Sequence, residues 1–441
     1  MEQRQLFKEE GAMEQTRQAE QKAEPEFAAF VAIDWADKKH YWSLRAAGSK
    51  QIERGEVENT PEAMEVWAAQ WSARFASRPI ALALEQRRGA LVAMLSKYKQ
   101  LHLYPVHPLT LAKYREAFFS SRSKSDVQDA DLLLELLCQH RDRLRRLEPD
   151  TVEMRTLQFQ VENRRKLVDE RTAVSNRLTG SLKMYFPQIL VWFEDVTAAL
   201  VGDLLLEWPT LTELQKARPR TLRTFFQQHN CRDVEKTEQR IQQIRTAIPS
   251  THDEAVIVSA RSVVWVSVRQ IEVLRQAIVD LDRQIKEIAH KQEDWKIFDS
   301  LPGAGEALAP RLMSSLGSNR ERFESASQAQ CFVGIAPVKE ASGNTQFVHM
   351  RWACPKFQRQ TFHEWAACSI PHCGWAKAYY DVMRERGKKH HTAVRALAFK
   401  WMRILYRCWK DRQPYKEEVY LASLAKRCVP MQRLVKSVQM P

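Results

Sequence analysis

The chain has 441 residues, 44% of them hydrophobic and 28% charged, and carries a net charge of +14. That length suits two to four domains, and a basic balance of this size favours a polyanionic partner. No run approaches the roughly 20 apolar residues of a membrane span, and the Gln/Glu-rich N-terminus lacks the apolar centre of a secretory signal. A cytoplasmic protein with no membrane partner is expected.

Residues 1–27 read as a disordered or weakly helical tail. From "FAAFVAIDWA" onward three β-rich runs are joined by short links, which suggests an antiparallel meander. Pro61 opens a helix, "RPIALALE" is a buried strand ending at Glu85, "GALVAMLSKY" is a helix, "LHLYPVH" is a fifth strand, and helices follow from Pro108. The order βββαβαβα is that of the ribonuclease-H-like fold, here over 28–145.

Residues 146–297 predict two long helices. One carries Leu157, Val161, Val168, Leu178, Leu182 and Tyr185; the other carries Ile271, Leu274, Ile278, Leu281, Ile285 and Ile288 at 3-4 spacing. The prolines of about 186–250 mark a small helical insert between them. The picture is an antiparallel coiled coil, whose seam closes either on its partner helix or on a second subunit.

A mostly α C-terminal domain is expected over 298–412, followed by a tail over 413–441. "LPGAGEALAPRLMSSLG" is like a helix-hairpin-helix, in which Gly303 and Gly305 turn the backbone towards a phosphate; the same glycines also suit a turn between core helices. Residues 374–412 hold 11 Lys/Arg against 3 Asp/Glu, interleaved with Trp375, Tyr379, Tyr380, Trp401, Tyr406 and Trp409. Basic side chains among aromatics suit nucleic acid; the alternative is the inner face of ordinary helices, and for Trp401 and Leu405 that is the favoured reading. The eight cysteines form no CxxC pair, and the group His363, Cys368, His372 and Cys373 fits no common zinc spacing.

The stretch "KSDVQDADLLLELL" places Asp126, Asp129 and Asp131 at a helix start. Asp126 and Asp129 are three apart and share a face. Asp131 is turned about 200° from Asp129 and reads as a charge favoured by the helix dipole. Asp34 ends the first strand and Glu85 the fourth, and these strands are neighbours in a ribonuclease-H-like sheet. Asp34, Glu85, Asp126 and Asp129 together would suit Mg²⁺, a hard cation that takes carboxylate oxygens. A pair of such ions roughly 4 Å apart clamps a phosphodiester for in-line displacement.

With "FVAIDWADKKHYWSL", "ALALEQRRGAL", "KSDVQDADLLLELL" and "FVGIAPVKEASG" in this order, the chain resembles the DEDD transposases of insertion-sequence family 110, from about residue 28 to about 415. The resemblance implies a RuvC-like N-terminal domain whose D-E-D-D set is Asp34, Glu85, Asp126 and Asp129, holding Mg²⁺ or Mn²⁺ in its place. It implies a serine nucleophile, Ser342 in "EASGN", which completes a composite site and forms a covalent 5′-phosphoserine link to DNA. Members of this bacterial and archaeal family excise and insert their element, guided by a non-coding bridge RNA that pairs with donor and target double-stranded DNA. They work as homo-oligomers, here a dimer or tetramer.

Candidate nucleic-acid contacts are Arg87, Arg88, Lys124, Gly303, Gly305, Gly343, Arg351, Lys388, Lys389 and Arg395. Two other readings stand beside the recombinase. One is a junction-resolving nuclease in which the four carboxylates activate water. The other is a non-enzymatic scaffold whose basic C-terminal helices coat RNA.

Overall fold

The computed structural model describes residues 26–118, 126–343 and 345–425. The chain divides into two compact units, Met1–Pro149 and Asp150–Pro441. In the first, β1 (Ala29–Asp34), β2 (Lys39–Ala46) and β3 (Glu53–Glu58) form an antiparallel meander. On the other side of β1, β4 (Ile80–Leu84) and β5 (Leu101–Pro105) add in parallel, giving the order β3-β2-β1-β4-β5. This mixed sheet fits the ribonuclease-H-like fold expected from the sequence.

Strand alternation decides what each face receives. Val31, Ile33, Ile80, Leu82 and Leu84 face α1 (Pro61–Arg74) and α2 (Ala90–Leu95). Helix α1 starts where Thr60 accepts from the Ala63 N–H and Pro61 presets the first turn. It buries Met64, Trp67, Ala68 and Trp71, and Trp71 meets Trp42 edge-on. The opposite face carries the small side chains of Ala32, Ala81 and Ala83, which let α4 (Asp126–His140) lie close. Leu132, Leu133, Leu134, Leu136 and Leu137 of α4 are buried there, each worth about 1.5–3 kcal/mol relative to exposure. Helix α3 (Pro108–Phe118) adds Leu111 to the same core.

The second unit is built on α5 (Val152–Tyr185) and α6 (Glu254–His290). They run antiparallel: Gln160 donates to Gln284, Arg164 pairs with Asp282, and Arg177 reaches Ser267. One end of the pair, with Leu178, Leu182, Val264 and Val268, packs into a core shared with short helices between Gln188 and Thr246. The other end, with Leu157, Val161 and Ile285, enters a separate core. That core includes α7 (Gly305–Leu316), α8 (Ala326–Phe332), α9 (Lys356–Ser369), α10 (Gly374–Glu385) and α11 (His390–Lys410).

Three of the aromatics interleaved with basic residues belong to this core. Trp375, Trp401 and Trp409 are buried, and each indole N–H has a partner: Tyr415 Oη, Ser369 Oγ and the Gly317 carbonyl. Trp401 and Trp409 follow the apolar face of α11, and Trp375 packs on Trp401 from α10, so packing and not base stacking fixes all three. Within the region read as a C-terminal tail, α12 (Glu417–Ala425) packs Tyr420 and Leu421 against the same core.

Candidate active site

Asp34 is the last residue of β1 and is 9% exposed. Ile33 pairs with Leu84, so Asp34 and Glu85 follow one another at the ends of adjacent parallel strands. Alternation places Asp34 on the face of Ala32, the face covered by α4. The direction of α4 follows from two contacts. Asp131 accepts from the Ser43 hydroxyl at 2.6 Å, and Ser43 pairs with Ala32. Ten residues later Arg141 stacks on Phe27 and Phe30, at the start of β1. The helix therefore runs back along β1, and its first turn, with Asp126 and Asp129, lies at the sheet edge where Asp34 and Glu85 end.

The three acids of α4 have different surroundings. Asp126 is exposed at the helix start. Asp129 is 2% exposed and accepts from Arg115 Nε of α3 at 3.0 Å. Asp131 accepts from Arg54 Nε with both oxygens, at 3.0 Å each, in addition to Ser43. It ties the helix to β2 and β3, a more specific task than the helix-dipole charge expected from sequence. Beside the edge, His40 is fully buried with its Nδ1 accepting from the Ala36 N–H, and burial pushes its imidazole down towards the neutral form.

Oxygen-only donors gathered at one sheet edge fit a hard divalent cation in kind. As the side chains stand, no group of three His, Cys, Asp or Glu among the described residues is arranged to hold an ion; Asp129 is engaged by Arg115. Arg87 and Arg88 follow Glu85 after Gln86. Partial dehydration, then the charges of Arg145 and Arg88, lower the pKa of the Arg87 guanidinium.

Ser342 lies in the second unit, at the end of β6 (Val338–Ser342), which pairs with β7 (Thr345–His349) in a hairpin. Nearly every residue of both strands is exposed. Gly343 sits in the turn at φ +56°, where an added side chain would meet open space, so backbone conformation alone asks for glycine. Across the hairpin His349 Nε2 is 3.0 Å from Glu340 Oε1, a contact that raises the imidazole pKa.

Among the remaining candidates, Gly303 stands against the main chain of Cys368, which a side chain would strike; internal packing accounts for it. Gly305 is open to solvent. Lys388 and Lys389 are exposed in the link before α11, while Arg395 is half-buried and donates to Thr392. Arg351 reaches the Cys331 sulfur at 3.7 Å. Lys124 lies outside the described residues. Sequence reasoning missed Arg115, whose pairing with Asp129 crosses two helices, and Ser43 and Arg54. It also missed Lys400, Arg403 and Arg407, which their i, i+3, i+7 spacing on α11 would have grouped.

Comparison with known proteins brings these features together. Residues 31–187 match the family model of the IS110 DEDD transposases, and residues 295–381 match that of the transposase IS116/IS110/IS902 family. The mini-circle putative transposase for IS117 of Streptomyces coelicolor is 25% identical over 412 residues, covering 91% of this chain and 98% of that protein. An insertion element IS116 protein of Streptomyces clavuligerus is 23% identical, covering 87% and 92%. An insertion element IS900 protein of Mycobacterium paratuberculosis is 24% identical, covering 74% and 80%. Two family models in order along the chain, and relatives matched over most of their length, agree with a sheet edge that carries the acidic set: the chain belongs to the IS116/IS110/IS902 family of transposases.

Proposed function

We propose that this transposase cuts and rejoins DNA with two sets of groups, the carboxylates Asp34, Glu85, Asp126 and Asp129 of the first unit and the hydroxyl of Ser342 in the second. The observation that carries the reading is the convergence of Asp34, Glu85 and the first turn of α4 on one edge of the sheet. Acids brought together in this way repel one another, and a bound divalent cation resolves the repulsion. Mg²⁺, or Mn²⁺ in its place, would be held by these four carboxylates and would supply charge stabilisation to a phosphodiester.

The chain's own chemistry then centres on Ser342. Its oxygen attacks the phosphorus, an Oγ–P bond forms, and the P–O3′ bond breaks. The proton that the hydroxyl gives up is balanced by the one that the departing 3′-oxygen takes, and the 5′-phosphate stays on the serine. Because one ester replaces another, bond energy is retained, and the 3′-hydroxyl of a new partner reverses the step to rejoin DNA. The exposed hairpin, and the bare Gly343 beside the hydroxyl, leave room for a DNA backbone to approach. Sequence choice is assigned to a bridge RNA pairing with donor and target DNA. Protein contacts to phosphate and shape, rather than to base edges, suit a chain of net charge +14. A homo-oligomer, dimer or tetramer, is the working form.

The test is a covalent-adduct assay. The protein with its co-purified RNA is given Mg²⁺ and labelled DNA spanning the element's joined ends, then run on a denaturing gel. Labelled protein is expected for the wild type, and none for Ser342→Ala or Asp126→Asn. DNA cleavage without an adduct, unaffected by Ser342→Ala, would transfer the attack to water and make the protein a metal-dependent nuclease.

A further inference from the structure

The second unit holds a cavity of about 1310 Å³, walled by the base of the β6–β7 hairpin, α11 and α12. Its lining joins two kinds of surface. Arg351, Arg395, Lys400, Arg403 and Lys416 line it, and none of these five forms an ion pair among the described residues. Asp411 is the acidic residue of the lining and is already paired with Arg407. Between the cations lie Phe399, Tyr406, Tyr420 and Val348, with Tyr379 carrying Lys400 Nζ at 4.7 Å from its ring centre. Burial lowers the pKa of the Lys400 ammonium, and repulsion from Arg403 adds to it. Arg351, Arg395 and Lys400 are half-buried, where an unpaired cation costs free energy unless an anion joins it, while Arg403 and Lys416 are exposed and add positive charge to the same hollow.

We infer that this cavity holds unpaired nucleotides of the DNA strand cut beside Ser342. The inference rests on the serine reading above for the identity of the strand, and on the cavity's own chemistry for the rest. A duplex offers phosphates but hides its bases, and would leave the apolar lining without a partner. A single strand offers phosphates to the cations and base faces to the aromatics, each stacked base worth about 1–3 kcal/mol. Position supports the same occupant. Val348 and His349 line the cavity, and the strand they belong to leads to the turn that carries Ser342. From Ser342 to the hairpin base is four residues, about 14 Å at roughly 3.4 Å per residue, a span that about four stacked nucleotides cover at roughly 3.4 Å each. Phe347 stands 66% exposed on the strand between, on the same face of the hairpin as Ser342, where a base could stack beside the reacting phosphate.

The test measures binding without cleavage, in full-length protein carrying Ser342→Ala. Fluorescence anisotropy follows a labelled single-stranded DNA, the same sequence as duplex DNA, and the same sequence as single-stranded RNA. Arg403→Gln with Lys416→Gln removes two phosphate contacts from exposed positions, which leaves the core intact. Each contact contributes about 0.7 to the salt slope of single-strand binding, so the slope should fall by about 1.4 and affinity at roughly 0.1 M salt by about 25-fold. Duplex affinity should change less than about threefold, and a thiothymidine-substituted strand should crosslink to Tyr406 or Tyr420. Lys236→Gln with Arg245→Gln, elsewhere in the second unit, controls for loss of charge alone. Unchanged single-strand affinity in a folded variant, an equal loss for duplex, or a larger loss for RNA would each overturn the assignment. If Ser342 is not the nucleophile, the adduct assay fails while this binding result stands.

Discussion

Asp131 separates the role of anchor from that of ligand within one helix turn, and its replacement tests that division. Asp131→Ala leaves the Ser43 hydroxyl, 1% exposed, without its acceptor. An unsatisfied buried hydroxyl costs about 1–3 kcal/mol. The pair with Arg54 adds little, about 0.2–1 kcal/mol, because the Arg54 side chain is half exposed. The sum is about 2 kcal/mol, and for a unit of about 150 residues that lowers Tm by roughly 4–8 °C. Asp131→Asn keeps an oxygen for Ser43 and loses only the charge facing Arg54, so it should cost under about 1 kcal/mol. Calorimetry of the full chain reads both values. The adduct assay, run below the lowered transition, should give a signal for both variants, in contrast to Asp126→Asn. Loss of the adduct in Asp131→Asn with an unchanged Tm would make Asp131 part of the reacting set and refute the assignment made from helix geometry.

Arg115→Met strands the Asp129 carboxylate in a buried position and should destabilise the chain by about 3–5 kcal/mol without added metal; Mg²⁺ should then raise Tm by more than it does in the wild type, and an equal rise in both would break the link between Arg115 and an ion at Asp129. Glu364→Leu removes the partner 2.6 Å from the buried Arg311 and should cost about 3 kcal/mol by urea unfolding, much of it regained in Arg311→Met with Glu364→Leu, where no charge is left alone. The His349 imidazole should titrate by NMR above the roughly 6.5 of a free side chain. Its folded-state pKa is raised, so the contact with Glu340 holds at low pH and is lost as pH rises through that value; Glu340→Gln should bring the midpoint back down.

The parts of the site that strands and helices impose were legible in the sequence. "IALAL" is apolar throughout because β4 is covered on both faces, and such a run marks both the strand and the acid that follows it. The three-residue spacing of Asp126 and Asp129 is enough to put them on one helix face. Contacts between elements left no such mark. Arg115 meets Asp129 across two helices, and Ser43 and Arg54 meet Asp131 over 88 and 77 residues of chain. The hairpin that carries Ser342 was legible only as a turn, since "VKEAS" and "TQFVH" are short, half polar and face solvent, without the alternation that a buried face would impose. Trp409 shows the opposite difficulty. Composition groups it with the basic residues around it, whereas its eight-residue separation from Trp401, expected in the core with Leu405, follows the apolar stripe of α11 inward.

The charges of α4 are arranged by the cost of removing each one from water. Asp126 and Asp129 are one turn apart, about 5–6 Å between their β-carbons, and unit charges at about 4 Å repel by roughly 1–4 kcal/mol depending on local polarity. Water screens the exposed Asp126, and the helix N-terminus favours it. Asp131, partly exposed, is held by a hydroxyl and a surface guanidinium. Only Asp129 is deeply buried, where an uncompensated charge costs several kcal/mol, and it is the one paired with an arginine that is itself largely covered. Arg115 thus lets the fold hold a buried acid near the sheet edge where Asp34 and Glu85 end. It also sets the affinity of that acid for any other cation as a difference, since whatever binds Asp129 must do better than the guanidinium already there.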